Sequence, residues 1–374
     1  MSSSALRGAS AANRRIVTAD PDQAMGQKID QSARAGGAPH ITIRHVAARA
    51  GVSIKTVSRV LNQEPRVNKD MRIAVEQAVA ELNYRPNISA RALAGMRSYL
   101  IGLIYDNPSP NYVSELQTGA MRACRPAGYH LMIEQIELAR PDLAERVIDA
   151  VSALRLDGVI LSPPLSDNDA VMSALEALAI PYVRIAPDDY PGRAPSVVMD
   201  DQRAAAEMTA YLWDQGHRDI AFVAAPKGHA AAARRRDGFL LALAERGGAA
   251  RPGYIIEGAF TTVSGMEAGL KLLALPDRPS AIFASNDEMA AGVMIAAYQS
   301  GVDLPGELSV AGFDDSPIAR SLHPLLTTVR QPTAEMAEAA ARILIERGPP
   351  RSRALDFELI VRGSVAAGPG ERKR

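Results

Sequence analysis

The stretch Ser53-Ile54-Lys55-Thr56-Val57-Ser58-Arg59-Val60-Leu61 is the first in the chain whose residue types and spacing point to a particular chemistry. On a helix, Val57, Val60 and Leu61 fall at i, i+3 and i+4 and face a small core, so Ile54, Lys55, Ser58 and Arg59 point outward. Lys55 and Arg59, four residues apart, repel mildly on an isolated helix. The arrangement becomes favourable once that face meets a polyanion. An arginine donates two parallel bonds to a guanine edge, and an apolar tip such as Ile54 touches a thymine methyl. Hydroxyls at Thr42, Thr56 and Ser58, with the Asn62 amide, suit phosphate oxygens. The alternative is a solvated face in an ordinary three-helix domain. Between Ile41 and Arg97 ten Lys and Arg residues face only four Asp and Glu, the footprint of a segment that meets nucleic acid.

A second group of polar residues follows apolar β-branched runs. Asn111 and Tyr112 come after Tyr99–Tyr105, Asn286 and Asp287 after Ala281–Ser285, and Asp314 after Leu308–Phe313. Arg235 stands three residues before Gly238, near the start of a helical stretch. Ligands of open α/β sheets sit beyond the carboxyl ends of strands. A carboxylate, a guanidinium, an amide and an aromatic face together suit a polyol. Asp287 reads as a helix N-cap, as does Asp200 or Asp201. Arg234 and Arg236 read as solvent-facing. The adjacent pairs Asp188-Asp189, Asp200-Asp201 and Asp314-Asp315 are not acid/base pairs, because neighbours on an element do not face one another.

The elements that must hold these residues fall into two textures. From Thr42 three short helical patterns follow, with Thr42, Ser53 and Asn68 as N-caps and Gly51 ending the first. The third carries an apolar stripe of Met71, Val75, Ala78, Val79 and Leu82. Asn83 to Asn87 reads as a linker because Pro86 forbids helix continuation, and Ile88 to Ala94 as one last short helical piece. After Ser98, apolar runs alternate with alanine-rich amphipathic stretches (Asp157–Ser162 and Ile220–Ala224 are two further runs), the pattern of a parallel sheet covered on both faces. The body is too long for one such sheet of ordinary domain size, so two similar lobes are expected. The fold class is therefore an N-terminal all-α helix-turn-helix headpiece plus an α/β body of two doubly wound parallel-sheet lobes.

The whole chain of 374 residues balances 42 Lys and Arg against 42 Asp and Glu. Residues 1–39, rich in Ser, Ala, Gly and Gln without periodicity, read as a disordered arm; a true start at Met25 is the alternative. Cys124 is the only cysteine, which excludes an internal disulfide and a multi-cysteine metal site; it reads as an inert core residue of a helix. His45, His217, His229 and His323 lack metal-ligand spacing. GxSxG, GxxxxGK and a GxGxxG after a strand are missing, so neither an enzyme nor a cofactor is expected. Without a secretion signal or a membrane span, a cytoplasmic location is expected.

The run Ile41-Thr-Ile-Arg-His-Val-Ala-Ala-Arg-Ala-Gly-Val-Ser-Ile-Lys-Thr-Val-Ser-Arg-Val-Leu-Asn62 resembles the signature of the lac repressor family, as do Leu82-Asn-Tyr-Arg-Pro-Asn87 and Ala90-Arg-Ala-Leu-Ala-Gly95. The body resembles the sugar-binding core that this family shares with periplasmic binding proteins. The resemblance implies a transcription regulator, usually a repressor, that binds a palindromic double-stranded operator as a homodimer and changes affinity when a small molecule enters the cleft between lobes. A carbohydrate effector is expected, with a purine or nucleoside as the alternative; a sugar-binding protein without DNA function is a more distant one. The implied DNA contacts are Thr42, Ser53, Ile54, Lys55, Thr56, Ser58, Arg59, Asn62, Asn87, Ala90 and Leu93, the last as a minor-groove wedge on a hinge helix. The implied effector contacts are Asn111, Tyr112, Arg235, Asn286 and Asp314. Ser166 replaces an acidic residue of the lac repressor, so that protein's galactoside preference does not transfer. The implied boundaries are 1–39 arm, 40–86 headpiece, 87–97 hinge, 98–367 body and 368–374 tail. Within the body, lobe one spans about 98–199 and 328–352, and lobe two about 200–327 and 353–367.

Overall fold

The computed structural model describes residues 41–61, 67–84, 97–226, 228–346 and 351–369. The chain divides into two compact units after Pro86. Expectations for Asn62, Asn87, Ala90 and Leu93, for the arm and for the hinge segment lie outside the described residues.

The first unit holds three helices. Helix α1, Ile43–Ala50, starts at Thr42, whose backbone N–H donates to His45 Nδ1 at 3.0 Å. It ends at Gly51, where φ of +67° is a conformation that a side chain would strain. Helix α2, Ile54–Leu61, follows Ser53, whose Oγ accepts the Thr56 N–H at 3.1 Å. Helix α3, Lys69–Glu81, is capped by Asn68, which accepts the Asp70 N–H at 2.8 Å. Val46, Val57, Val60, Val75, Ala78 and Tyr84 close a common core. Two expectations need correction here. Met71 is 46% exposed and lies off the buried stripe. Tyr84, read as linker, is buried in the core, because its ring supplies apolar area that three short helices lack.

The second unit contains two six-stranded sheets. The first is built from β1 (Leu100–Tyr105), β2 (His130–Gln135), β3 (Gly158–Leu161), β4 (Tyr182–Ile185) and β5 (Ser196–Val198). Helices α4 (Pro110–Cys124), α5 (Leu143–Leu154) and α6 (Asp169–Ala177) connect them. The second sheet uses β6 (Ile220–Ala224), β7 (Ile255–Glu257), β8 (Ala281–Ala284), β9 (Ser309–Asp314) and β10 (Thr327–Arg330). Its helices are α7 (Asp201–Asp214), α8 (Ala230–Glu245), α9 (Thr262–Leu273) and α10 (Asp287–Gln299). The chain then returns to the first lobe with α11 (Thr333–Glu346) and β11 (Arg353–Ala354), and crosses back with β12 (Glu358–Ile360).

Strand orders β11-β5-β4-β3-β1-β2 and β12-β10-β9-β8-β6-β7 are the same doubly wound arrangement used twice. Every pair is parallel except β10 with β12. β3, β6 and β8 are buried along their length and β1 at all but its two end residues, which is why they read as continuous apolar runs. The lobe boundaries differ from the expected ones. Thr327–Arg330 pairs with Ala311–Asp314 and so belongs to the second lobe, while Arg353–Ala354 pairs with Val197–Val198 in the first. The first return crossing therefore falls at Gln331 and the second after Ala354. A two-residue strand with both side chains exposed has no apolar pattern to announce it.

Cys124 ends α4 fully inside the first lobe, where burial pushes its thiol up to about 11 and leaves no thiolate to react.

Candidate functional site

The headpiece presents its chemistry on α2. Val57 and Val60 are buried, whereas Ser53, Ile54, Lys55 and Arg59 are exposed and Thr56 and Ser58 are half-buried. The 100° step between residues puts Lys55 and Arg59 on one outward row, and Ile54 projects an apolar tip beside them. Thr56 Oγ1 lies 2.9 Å from Ser53 Oγ, so the cap and the first turn brace each other. Thr42 is exposed at the start of α1.

The body gathers its polar residues at the carboxyl ends of strands from both sheets. A cavity of about 20 Å³ is lined by Ser109, Tyr112, His229, Arg235, Asn286 and Asp314, with Asn107, Phe260 and Gln331 beside them. That is room for about one water. A second space of about 150 Å³ shares Tyr112, Asp314 and Gln331 and extends past Asn111 toward Arg320 and Arg330. A larger space of about 810 Å³ lies at the opposite, amino ends of β3 and β4, around Leu156, Pro181 and Leu344. Its walls are mainly apolar and it is remote from the converging polar groups, so the smaller cavity is the candidate ligand site.

Arg235 organises the cavity. Its Nε donates to Asp201 Oδ1 at 2.8 Å, Nη1 to the Ser285 carbonyl at 2.7 Å and Nη2 to Gln331 Oε1 at 2.8 Å. Its guanidinium carbon sits 3.7 Å from the centre of the Phe313 ring. Helix α8 can bring it there because Gly238, one turn further on, touches α7: a Cβ on Gly238 would stand 2.1 Å from the Gln202 carbonyl oxygen. Asp314 Oδ1 is 3.8 Å from Arg235 Nη1, an ion pair but not a hydrogen bond. Burial raises the Asp314 carboxyl well above the ordinary range; Arg235 opposes this, and Asp287, Glu288 and Asp201 add to it. Asp314 and Asp315 have φ of +116° and +52°, costly backbone for non-glycine residues. The Asp315 carboxylate, wholly buried, accepts bonds from Arg320, Arg330 and Arg362, which hold that turn in place.

The remaining expected contacts take several positions. Asn286, and not Asp287, is the N-cap of α10: its Oδ1 accepts the Met289 N–H at 2.9 Å. Its amide donates to the Phe260 carbonyl and to Glu288 Oε2, so both N–H groups are used internally. Asp287 turns inward, accepting from Thr328 Oγ1 at 2.6 Å and the Ser316 N–H at 2.7 Å, and burial pushes its carboxyl up to about 7. The sequence pattern read Asp287 as the cap, and that reading is corrected here: the Thr328 hydroxyl, far along the chain, takes the Asp287 carboxylate and Asn286 caps instead. Tyr112 lines the cavity and burial raises its phenol, keeping it neutral. Asn111 lies outside the small cavity and donates to Glu288 Oε1 at 2.9 Å.

Those last bonds join the lobes. Ser109 Oγ of the first lobe donates to the same Glu288 oxygen at 2.7 Å. Arg234, expected to face solvent, instead pairs with Asp188 across the cleft and donates to the Pro187 carbonyl at 3.2 Å. The loop carrying Asp188 is anchored by Arg184, fully buried in β4, which donates to Ser166, Asp189 and Tyr190 carbonyls and to Asp167. Arg236 stays exposed beside Asp237. Asp200 caps α7, and Asp201 is the buried partner of Arg235.

Sequence reasoning passed over Ser109, Phe260, Glu288 and Gln331, and read Asp201 only as a possible cap and His229 only as lacking metal-ligand spacing. Gln331 and Glu288 follow the strand runs ending at Arg330 and Ala284, so the strand-end rule that selected Asn286 and Asp314 also reaches them. His229 follows the run Ile220–Ala224 in the same way.

A helical headpiece with a cationic outward row, joined to a two-lobed body with a polar cleft, is the architecture of a DNA-binding transcription regulator. Residues 42–87 match the family described as bacterial regulatory proteins, lacI family, and residues 209–365 match the periplasmic binding protein-like domain. Catabolite control protein A of Priestia megaterium is 33% identical over 311 residues, 82% of this chain and 92% of that protein. The structure of a lac repressor dimer bound to operator and the anti-inducer ONPF superimposes with a TM-score of 0.73 at 27% identity, covering 87% of this chain and 99% of that one. The complex of the transcriptional regulator CelR with cellobiose gives 0.67 at 30% identity, with coverage of 87% and 99%. The chain belongs to the lacI family of bacterial regulatory proteins.

Proposed function

We propose that the protein represses transcription as a cytoplasmic homodimer on a palindromic operator, and that a carbohydrate entering the interlobe cleft changes its operator affinity. The observation that carries this reading is that the cleft residues bond across the lobes: Ser109 and Asn111 to Glu288, and Asp188 to Arg234. A cavity of about 20 Å³ is too small for a sugar, so ligand entry must rearrange groups that tie one lobe to the other. A ligand shifts an equilibrium only by binding the two arrangements unequally, and a site that must open supplies that inequality. CelR with bound cellobiose and the lac repressor dimer on operator are the similar structures that support the ligand class and the dimer.

In this reading Ile54, Lys55 and Arg59 touch base edges while Thr42, Ser53, Thr56, Ser58 and Asn62 hold phosphates. Asn87, Ala90 and Leu93 belong to a hinge that enters the minor groove. Asp314, Arg235 and Tyr112 hold the effector, with Asn286 and Asn111 ordering the wall. The test is fluorescence anisotropy with a palindromic operator, with and without sugars. Tight, sequence-dependent binding altered by one sugar is expected. Equal affinity for operator and random competitor would overturn the reading, and unchanged affinity of Leu93→Ser would remove the wedge.

A further inference from the structure

We propose that the effector is an uncharged hydroxylated ring, that the cleft rejects anionic ligands such as sugar phosphates and uronates, and that His229 reads one of the ring hydroxyls. This rests on the cleft being the effector site. Arg235 is the one cation among the cavity's described lining residues, and it pairs with Asp201 and Asp314; the carboxyls of Asp287 and Glu288 act on Asp314 from the same region. Of these carboxyls, only Asp201 has Arg235 as a hydrogen-bonded partner. Glu288 is bonded by the neutral donors Ser109, Asn111 and Asn286, and Asp287 by Thr328 and the Ser316 N–H. A free guanidinium fork is the strongest match for a phosphate or carboxylate, and the fork of Arg235 is divided among Asp201, the Ser285 carbonyl and Gln331. An anion entering this poorly solvated space would meet, among the described lining residues, only the already partnered Arg235 as a cation.

The second observation points to what does fit. His229 lines the cavity with both ring nitrogens shut off from solvent and without a protein hydrogen-bond partner. Its ring packs edge-on against Phe260, with centroids 4.9 Å apart. Burial first, and Arg235 second, depress its pKa to about 3, so the imidazole is neutral and offers one donor and one acceptor. A neutral imidazole gives an anion no charge to pair with. It matches a hydroxyl, which both donates and accepts. The unions of Asp314 as acceptor, His229 as donor and acceptor, and Phe260, Pro163 and Ala186 as apolar wall describe the polar edge and C–H face of a neutral ring.

The experiment uses the full-length protein at pH 8, where free carboxylates are ionised. Thermal shift and calorimetry are run on matched sets: D-ribose with D-ribose 5-phosphate, D-glucose with D-glucose 6-phosphate and D-glucuronate, and cellobiose. At least one neutral sugar is expected to bind, with any anionic counterpart weaker by about a hundredfold or more. His229→Leu is expected to raise the melting temperature of the free protein, because a buried unpartnered group is removed, yet to weaken that sugar by about tenfold or more. His229→Asn, which keeps a donor and an acceptor, is expected to restore part of the affinity. An anion binding more tightly than its neutral parent, binding by none of the neutral sugars, or full affinity in His229→Leu would each overturn the proposal. Operator binding is measured on the same samples: its failure sinks the regulatory reading, while ligand charge preference is read from the calorimetry independently.

Discussion

Arg235 and Asp201 meet at 2.8 Å with both side chains almost wholly shut off from solvent, and this pair joins α8 to α7 directly behind the ligand cavity. A buried pair is costly to break from one side, because the survivor keeps an unmatched charge. Arg235→Met is therefore expected to lose about 3–5 kcal/mol of stability in urea unfolding, with Arg235→Met/Asp201→Asn recovering most of it. Both variants should lose effector affinity. A single variant as stable as the double would contradict the coupling.

The outward row of α2 makes a different kind of prediction. Lys55 is exposed, so Lys55→Ala should leave headpiece stability within about 0.5 kcal/mol. Operator affinity should fall by about 1–3 kcal/mol for Lys55→Ala and again for Arg59→Ala, measured by anisotropy at fixed salt. Equal losses on operator and random DNA would mark phosphate contacts in place of base contacts.

The pair of Arg234 with Asp188 spans the lobes at a half-exposed position. Solvent screening limits such a pair to about 0–1 kcal/mol. Asp188→Ala should thus leave global stability almost unchanged and shift effector affinity by about fivefold at most. A much larger change in calorimetry would mean that the loop anchored by Arg184 contacts the ligand itself.

Gly238 tests how the cavity is assembled. A methyl group there would stand 2.1 Å from the Gln202 carbonyl oxygen, which must force α8 away from α7. Gly238→Ala is expected to cost about 1–3 kcal/mol or more and to weaken effector binding by displacing Arg235. Unchanged thermal melting would show that the helices are not in contact as described.

His229 sets an acid sensitivity. Its folded pKa of about 3 lies below the unfolded value of 6.5, so the unfolded chain binds the extra proton first as pH falls. Its contribution to stability is complete above 6.5 and is lost as pH drops toward 3. Acid unfolding of His229→Leu should have its midpoint at lower pH than the wild-type chain, followed by circular dichroism. An unchanged midpoint would place the imidazole in solvent.

Much of the architecture was legible before any coordinates because it repeats a local physical rule many times. Ile220–Ala224 and Ala281–Ala284 are uninterrupted apolar runs since both faces of a parallel strand are covered, and Val57 with Val60 must share a side of α2 by helical geometry alone. The headpiece, its caps at Ser53 and Asn68, and the outward position of Lys55 and Arg59 follow from residues within a few positions of one another. The choice of Asn286 over Asp287 as the cap did not, since it depends on Thr328; nor did the turn of Arg234 toward Asp188, the burial of Tyr84, or the assignment of Thr327–Arg330 to the second lobe. Each of these is decided by a partner distant in the chain. Local sequence determined which elements form and which side of each is apolar. Only the tertiary structure decided which polar groups are matched, because matching depends on distances between segments that no periodicity encodes.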